Sequence, residues 1–173
     1  MPRTEDIGEP RLDSGDRDPV AVARSAFLSG DVERAKRMAD KAISTDPLRP
    51  DAWIIKGRAL VCRLDHVGAK ECYKQALEID EGNVEAWRRM AFAHRLNSEF
   101  VDAIGCWKKA LELDPNDPRT LNDVASALDE MGEFEQANEY YKRTLEVNPD
   151  DPFARENIRL NRRILDRLAK RKD

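Results

Sequence analysis

Four stretches of this 173-residue chain carry the same residues 34 positions apart: Ala35, Ala69, Ala103 and Ala137 form one column, and Pro47, Glu81, Pro115 and Pro149 form another. A period of that length holds two short helices per unit. Neither can bury its apolar face alone, so the units must stack. Units at residues 16–49, 50–83, 84–117 and 118–151 bring further columns into line. Position 8 of the unit reads Ala23, Gly57, Ala91 and Ala125, and position 24 reads Ala39, Tyr73, Trp107 and Tyr141. Position 4 gives Trp53, Trp87 and Leu121, and position 27 gives Ala42, Ala76, Ala110 and Thr144. Small residues at positions 8 and 20 beside bulky fillers mark two amphipathic helices that cross closely.

These columns resemble the tetratricopeptide repeat, in which Trp, Leu, Gly and Tyr mark helix A, and Ala, Phe, Ala and Pro mark helix B and its turn. The resemblance covers residues 16–151 and is carried by Trp53, Gly57, Ala69, Tyr73 and Ala76 in unit 2, and by Trp87, Ala103, Trp107, Ala110 and Pro115 in unit 3. It implies an all-α fold, a right-handed superhelical solenoid of stacked antiparallel helix pairs. A flexible segment at 1–15 would precede the four units, and a capping helix with a basic tail at 152–173 would follow them. Unit 1 departs most, with Pro19 at the Trp position and Ala26 at the Tyr position, and is expected to be the weak end.

Local signals place the helix ends. Asp18-Pro19, Asp117-Pro118 and Asp151-Pro152 each set a capping acceptor before a proline at the first helical position, and Asn83 takes the capping part before Val84. Between the helices of a unit, Gly30 and Gly132 tolerate positive φ, whereas Leu64-Asp65 and Ser98-Glu99 at the equivalent places predict turns of a different geometry.

Composition narrows the function classes. A net charge of -4 does not suggest a general nucleic-acid binder, and no apolar run reaches membrane-spanning length. The amino terminus mixes charges with Pro and Gly rather than forming a signal peptide, which points to a cytoplasmic protein. Three cysteines without metal-like spacing read as reduced, packed thiols. The two histidines, His66 and His94, form no visible catalytic constellation, and the eight glycines form no phosphate loop. The reading is therefore a non-catalytic protein with no cofactor and no metal.

Function is then sought on the concave face, which the resemblance assigns to helix A positions 2, 5, 6, 9, 12 and 13. Unit 1 places Arg17, Val20, Ala21, Arg24, Phe27 and Leu28 there, and unit 2 places Asp51, Ile54, Ile55, Arg58, Val61 and Cys62. Unit 3 supplies Glu85, Arg88, Arg89, Phe92, Arg95 and Leu96, and unit 4 supplies Arg119, Asn122, Asp123, Ser126, Asp129 and Glu130. An apolar end, an arginine-rich middle and an acidic far end suit a peptide segment of another protein carrying apolar and acidic residues. Its anion contacts would be Arg24, Arg58, Arg88, Arg89, Arg95 and Arg119, with Ile54, Val61 and Phe92 as exposed apolar contacts. The chain's own Ile7 and Leu12 are an alternative cover for the apolar end.

The carboxylate clamp by which some co-chaperones of this family grip acidic chaperone tails is not reproduced. It needs Lys at position 5, Asn at 9, Asn at 6 in the next unit, and Lys at 2 with Arg at 6 in the third. Units 1 to 3 offer Val20, Arg24, Ile55, Glu85 and Arg89; units 2 to 4 offer Ile54, Arg58, Arg89, Arg119 and Asp123. Beyond unit 4, Ala154, Ile158, Leu165 and Leu168 predict an inward stripe, with Arg155, Arg159, Arg162 and Arg163 outside. Leu160 and Ile164 lie on a different side. They leave a homo-oligomeric scaffold as the alternative reading, and the basic end RLAKRKD leaves a nucleic-acid accessory as a minor one.

Overall fold

The computed structural model describes residues 18–170. The expected flexible segment 1–15, with Ile7 and Leu12, lies outside the described residues, as do Arg17 and the last three residues of the basic tail. Nine helices occupy the described residues: α1 (Pro19–Leu28), α2 (Val32–Thr45), α3 (Pro50–Cys62), α4 (His66–Ile79), α5 (Val84–Leu96), α6 (Phe100–Leu113), α7 (Pro118–Glu130), α8 (Phe134–Val147) and α9 (Pro152–Ala169). Each packs mainly on its neighbours in sequence, with α1 also touching α3 and α3 touching α5. The result is an all-α solenoid of stacked antiparallel pairs.

The caps follow the sequence. Asp18, Asn83, Asp117 and Asp151 accept backbone N–H groups at the starts of α1, α5, α7 and α9. Asp31 and Asp65 do the same for α2 and α4. These contacts satisfy donors that the first helical turn leaves without partners.

The turns within the units correct the sequence expectation. Leu64 (φ 62°) and Ser98 (φ 60°) adopt the same left-handed conformation as Gly30 (φ 84°) and Gly132 (φ 81°). The same closing bond recurs in all four units, from Asp31, Asp65, Glu99 and Glu133 N–H to the carbonyls of Ala26, Leu60, His94 and Leu128, at 2.9 to 3.0 Å. Stacking fixes this turn. Units 2 and 3 therefore adopt it with side chains that prefer other regions.

The alanines at position 20 are fully buried, as are Ala91 and Ala125 at position 8. Unit 2 needs glycine at position 8, because a Cβ on Gly57 would sit 2.5 Å from Tyr73 Cε1. The Trp column has a polar task as well as a filling one. Trp53 Nε1 donates to Pro47 O at 2.9 Å, and Trp87 Nε1 donates to Glu81 O at 2.8 Å, the carbonyl at position 32 of the preceding unit in both cases. Leu121 has no such donor, and Arg143 of α8 reaches Pro115 O instead at 3.4 Å. Arg155, at the Trp position of α9, donates to Pro149 O at 2.6 Å. One backbone acceptor at each junction thus receives a side-chain donor from whichever residue can supply it.

Helix α9 caps the stack by a route the apolar stripe did not predict. Ala154 is buried and Ile158 packs on the core, but Leu168 is 43% exposed. Asn161 is the residue that turns fully inward, donating to Asp129 Oδ1 at 2.6 Å and Asn138 Oδ1 at 3.2 Å. It occupies position 10, where the earlier units place Ala59, Ala93 and Ala127.

Candidate peptide-binding face

The A helices α1, α3, α5 and α7 lie side by side, so their matching positions can meet across units. Two contacts show it. The Arg58 guanidinium stacks over the Phe27 ring, 4.1 Å from its centroid, and Arg95 Nη1 donates to Glu130 Oε1 at 2.8 Å. This face carries Arg24, Phe27, Arg58, Val61, Arg88, Arg89, Phe92, Arg95, Arg119 and Asn122 at exposed or half-buried positions.

Its apolar end is smaller than the sequence suggested. Ile54 is only 6% exposed and packs with Ala76, Leu77 and Ala86, so it belongs to the core and not to the open face. Val20 and Ile55 are likewise buried, in the cluster formed by the α1, α2 and α3 alanines. Helix A leans these positions into the neighbouring B helix, whereas Phe27, Val61 and the 37%-exposed Phe92 remain at the surface.

The arginines divide into two groups. Arg89 Nε donates to Glu85 Oε1 at 2.7 Å, Arg95 binds Glu130, and Arg88 Nε stands 3.4 Å from Asp117 Oδ2. Those three are therefore engaged by carboxylates of the chain itself. Arg24, Arg58 and Arg119 make no ion pair among the described residues. Burial lowers the Arg58 pKa from its ordinary value, and the Arg89 and Arg24 charges push the same way against Glu85. Farther along, burial raises the Asp123 pKa despite Arg88, Arg95 and Arg89 nearby. Asn122 turns its amide toward Asp151 Oδ2, 3.4 Å away.

Asp129, expected at the acidic end, faces inward. Tyr141 Oη donates to its Oδ2 at 2.8 Å and Asn161 holds the other oxygen. Burial raises its pKa, and these two bonds oppose the rise.

Away from this face, the two histidines join one network at the junction of units 2 and 3. Glu99 takes Lys70 Nζ at 2.6 and 2.9 Å, His94 Nδ1 at 2.5 Å and Asn97 Nδ2 at 3.3 Å, and His66 Nδ1 meets Asn97 Oδ1 at 2.9 Å. The Lys70 bond first, and His94 second, hold the Glu99 pKa down at about 2. His94, Glu99 and Asp102 bring ligand-type atoms within 4.8 Å of one another, but the Glu99 oxygens are already taken by donors. The thiols do not share one environment. Burial pushes Cys72 and Cys106 up to about 11, whereas Cys62 is exposed, in contrast to the packed position expected for it. Among the described residues, no helix is long and apolar enough to cross a membrane.

Sequence reasoning missed Asn161 and the tryptophan N–H bonds. The signal for the tryptophans was present, since Trp53 and Trp87 each stand six residues after position 32.

Three tetratricopeptide repeat family models match the chain, at residues 84–117, 106–137 and 21–63, and together span more than half of it. No protein of curated function matches the sequence. The fold is similar to that of solved structures of MamA (TM-score 0.75, 22% identity, covering 83% of this chain and 78% of that one). It is also similar to YrrB, described as a TPR protein with an unusual peptide-binding site (TM-score 0.72, 20% identity, 86% and 76% covered). A third is pilF of Pseudomonas aeruginosa (TM-score 0.74, 21% identity, 81% and 64% covered).

Proposed function

Because the chain belongs to the tetratricopeptide repeat family, we propose that it is a non-catalytic interaction module that holds a peptide segment of a partner protein along the concave face of its A helices. The observation that carries this reading is the row of half-buried Phe27 and Val61 and exposed Phe92 among guanidinium groups. A purely solvated helix face has no need of aromatic side chains that stay at the surface. Peptide binding by YrrB, a structural neighbour, agrees with it.

Affinity capture tests the reading with Phe92→Glu on this face and Val101→Glu, a 71%-exposed residue of α6, as the control. The expected result is a partner held by the wild type and by Val101→Glu but lost with Phe92→Glu, at unchanged helicity. A partner retained by Phe92→Glu and lost with Val101→Glu would overturn the assignment of the face.

A second reading, a self-associating scaffold, rests on Phe153, Leu160 and Leu168, which stand 50%, 48% and 43% exposed on α9. Light scattering of the wild type beside Leu160→Glu tests it. A monomer in both eliminates it.

A further inference from the structure

We propose that the open side of α9 docks an acidic amphipathic helix of a partner protein. This surface lies past unit 4 and is separate from the row of Phe27, Val61 and Phe92.

Helix α9 runs 18 residues, whereas α3, α5 and α7 each run 13, so Arg167 and Leu168 fall beyond the last residue of an ordinary A helix. Phe153, Leu160, Ile164 and Leu168 follow one another at steps of seven, four and four, which sets them in a single row along the helix. Phe153, Leu160 and Leu168 are exposed and Ile164 is half-buried. The Phe153 ring is held edge-on to Tyr141, with centroids 6.0 Å apart, so one end of the row is already fixed in place. A helix whose only task was to cap the stack would turn polar side chains to water here.

A row of cations runs beside the apolar one. Arg163 and Arg167 stand three residues after Leu160 and Ile164, and Lys170 continues their line. Arg155 and Arg159 have internal partners in Asp150 and Glu156, but Arg162, Arg163, Arg167 and Lys170 make no ion pair among the described residues. From Pro152 to Lys170 the chain carries six basic and two acidic residues, within a whole of net charge -4. Basic charge is thus gathered on a helix that packs mainly on a single neighbour, α8.

An apolar row flanked by one sign of charge is the pattern of a two-helix seam, in which the apolar side chains give contact area and the flanking charges choose the partner. The complement is a helix with Leu, Ile or Val at helical spacing and Asp or Glu beside them. The row from Phe153 to Leu168 spans about 22 Å, roughly four turns of such a helix. A second copy of α9 would set cation against cation, so charge opposes a symmetric pair. Phosphate groups would engage the cations and leave the apolar row in water.

Selection on the full chain from a phage library of random peptides about 20 residues long, enough for a helix to form, tests the proposal. Each winner is then measured against the wild type, Leu160→Glu, the double variant Arg163→Gln/Arg167→Gln, and Phe92→Glu, with circular dichroism to check that every variant is folded. The expected result is a class of winners rich in Asp and Glu, with apolar residues three and four apart, that gains helicity on binding. Its affinity should fall about tenfold or more in Leu160→Glu, fall also in the arginine variant and with added salt, and be unchanged in Phe92→Glu.

If no class of winners is lost with Leu160→Glu, the docking surface is overturned. A class that is lost there but lacks acidic residues, or ignores the arginine variant, overturns the partner's chemistry. Binding of a thymidine oligonucleotide or of phosphatidylserine vesicles that Leu160→Glu abolishes would replace the partner protein with nucleic acid or membrane. Phe92→Glu reports on the concave face separately, so either surface can fail alone.

Discussion

In the first helix pair, α1 and α2, the buried residues are Val20 and the five alanines Ala23, Ala26, Ala35, Ala39 and Ala42, whereas the pair α7 and α8 buries Leu121, Val124, Leu128 and Tyr141 beside its alanines. The two pairs turn on equivalent glycines, Gly30 and Gly132, and close with the same 2.9 Å bond. Backbone geometry is thus held constant while the filling changes. Burial of one large aromatic side chain removes roughly 150–250 Å² from water, an upper estimate of about 4–6 kcal/mol at about 25 cal/mol/Å². Position 24 supplies that in unit 4 through Tyr141 and not in unit 1, where Ala39 stands. The architecture therefore needs only the small residues at the crossing. The fillers decide how firmly each unit is held, and the pair α1/α2 is the place where the solenoid opens first.

The largest expected effect separates these ends. Tyr141→Ala leaves a cavity in the cluster shared with Trp107 and Leu121 and removes the donor to Asp129. It should cost about 3–5 kcal/mol in urea unfolding. Phe27→Ala, at the half-buried aromatic of α1, should cost about 1–2 kcal/mol and show mainly as faster amide exchange in α1 and α2. Equal losses at the two sites would mean that the alanine-filled unit is as tightly coupled as the aromatic one.

Acid sharpens the same contrast with opposite signs. At the junction of units 2 and 3, the Glu99 pKa is depressed from 4.5 to about 2 in the fold. Its stabilising contribution is complete above pH 4.5 and is lost as the pH falls from there toward 2. In unit 4, burial raises the Asp123 and Asp129 pKa values above 3.8, so the fold holds their protons more tightly than the unfolded chain does. Their contribution becomes more favourable as the pH falls. Between pH 5 and 2, on the order of the range these groups titrate over, Glu99→Gln should flatten the acid loss of stability, and Asp123→Asn should steepen it. Denaturant midpoints across that range read both slopes, and parallel curves for the two variants would refute the assignment.

The 34-residue period was enough to place every described helix pair, because it depends on small residues that the crossing cannot replace. It could not say how far each A-helix side chain leans into the neighbouring B helix. Ile54 and Phe92 both fall on the face by numbering, yet Ile54 is sealed by Leu77 while Phe92 stays open. The Glu85–Arg89 pair has the i, i+4 spacing at which one helix pairs its own charges and was legible. The period could not separate the arginines engaged by Asp117 or Glu130 from Arg24 and Arg58, because those pairings run from α5 to α7 and its N-cap, and several donors could have served each acid. Asn161 escaped for a related reason: a polar residue in an alanine column reads as a surface residue until its partners, Asp129 and Asn138, are brought beside it.

The smallest expected effect compares turns. Leu64 takes φ 62° and stands 80% exposed, at the place where units 1 and 4 use glycine. A branched side chain in the left-handed region costs about 1–2 kcal/mol, while glycine there adds about 0.5–1 kcal/mol of unfolded-chain entropy to be lost. Leu64→Gly should therefore stabilise the chain, by about 0.5–1 kcal/mol from the difference of those terms. The same exchange at Ser98 should give less, since a short polar side chain suffers a smaller clash. Urea midpoints at unchanged slope measure both. A loss at Leu64 would mean that its side chain, exposed as it is in the isolated chain, supports the turn through contacts that the strain alone does not describe.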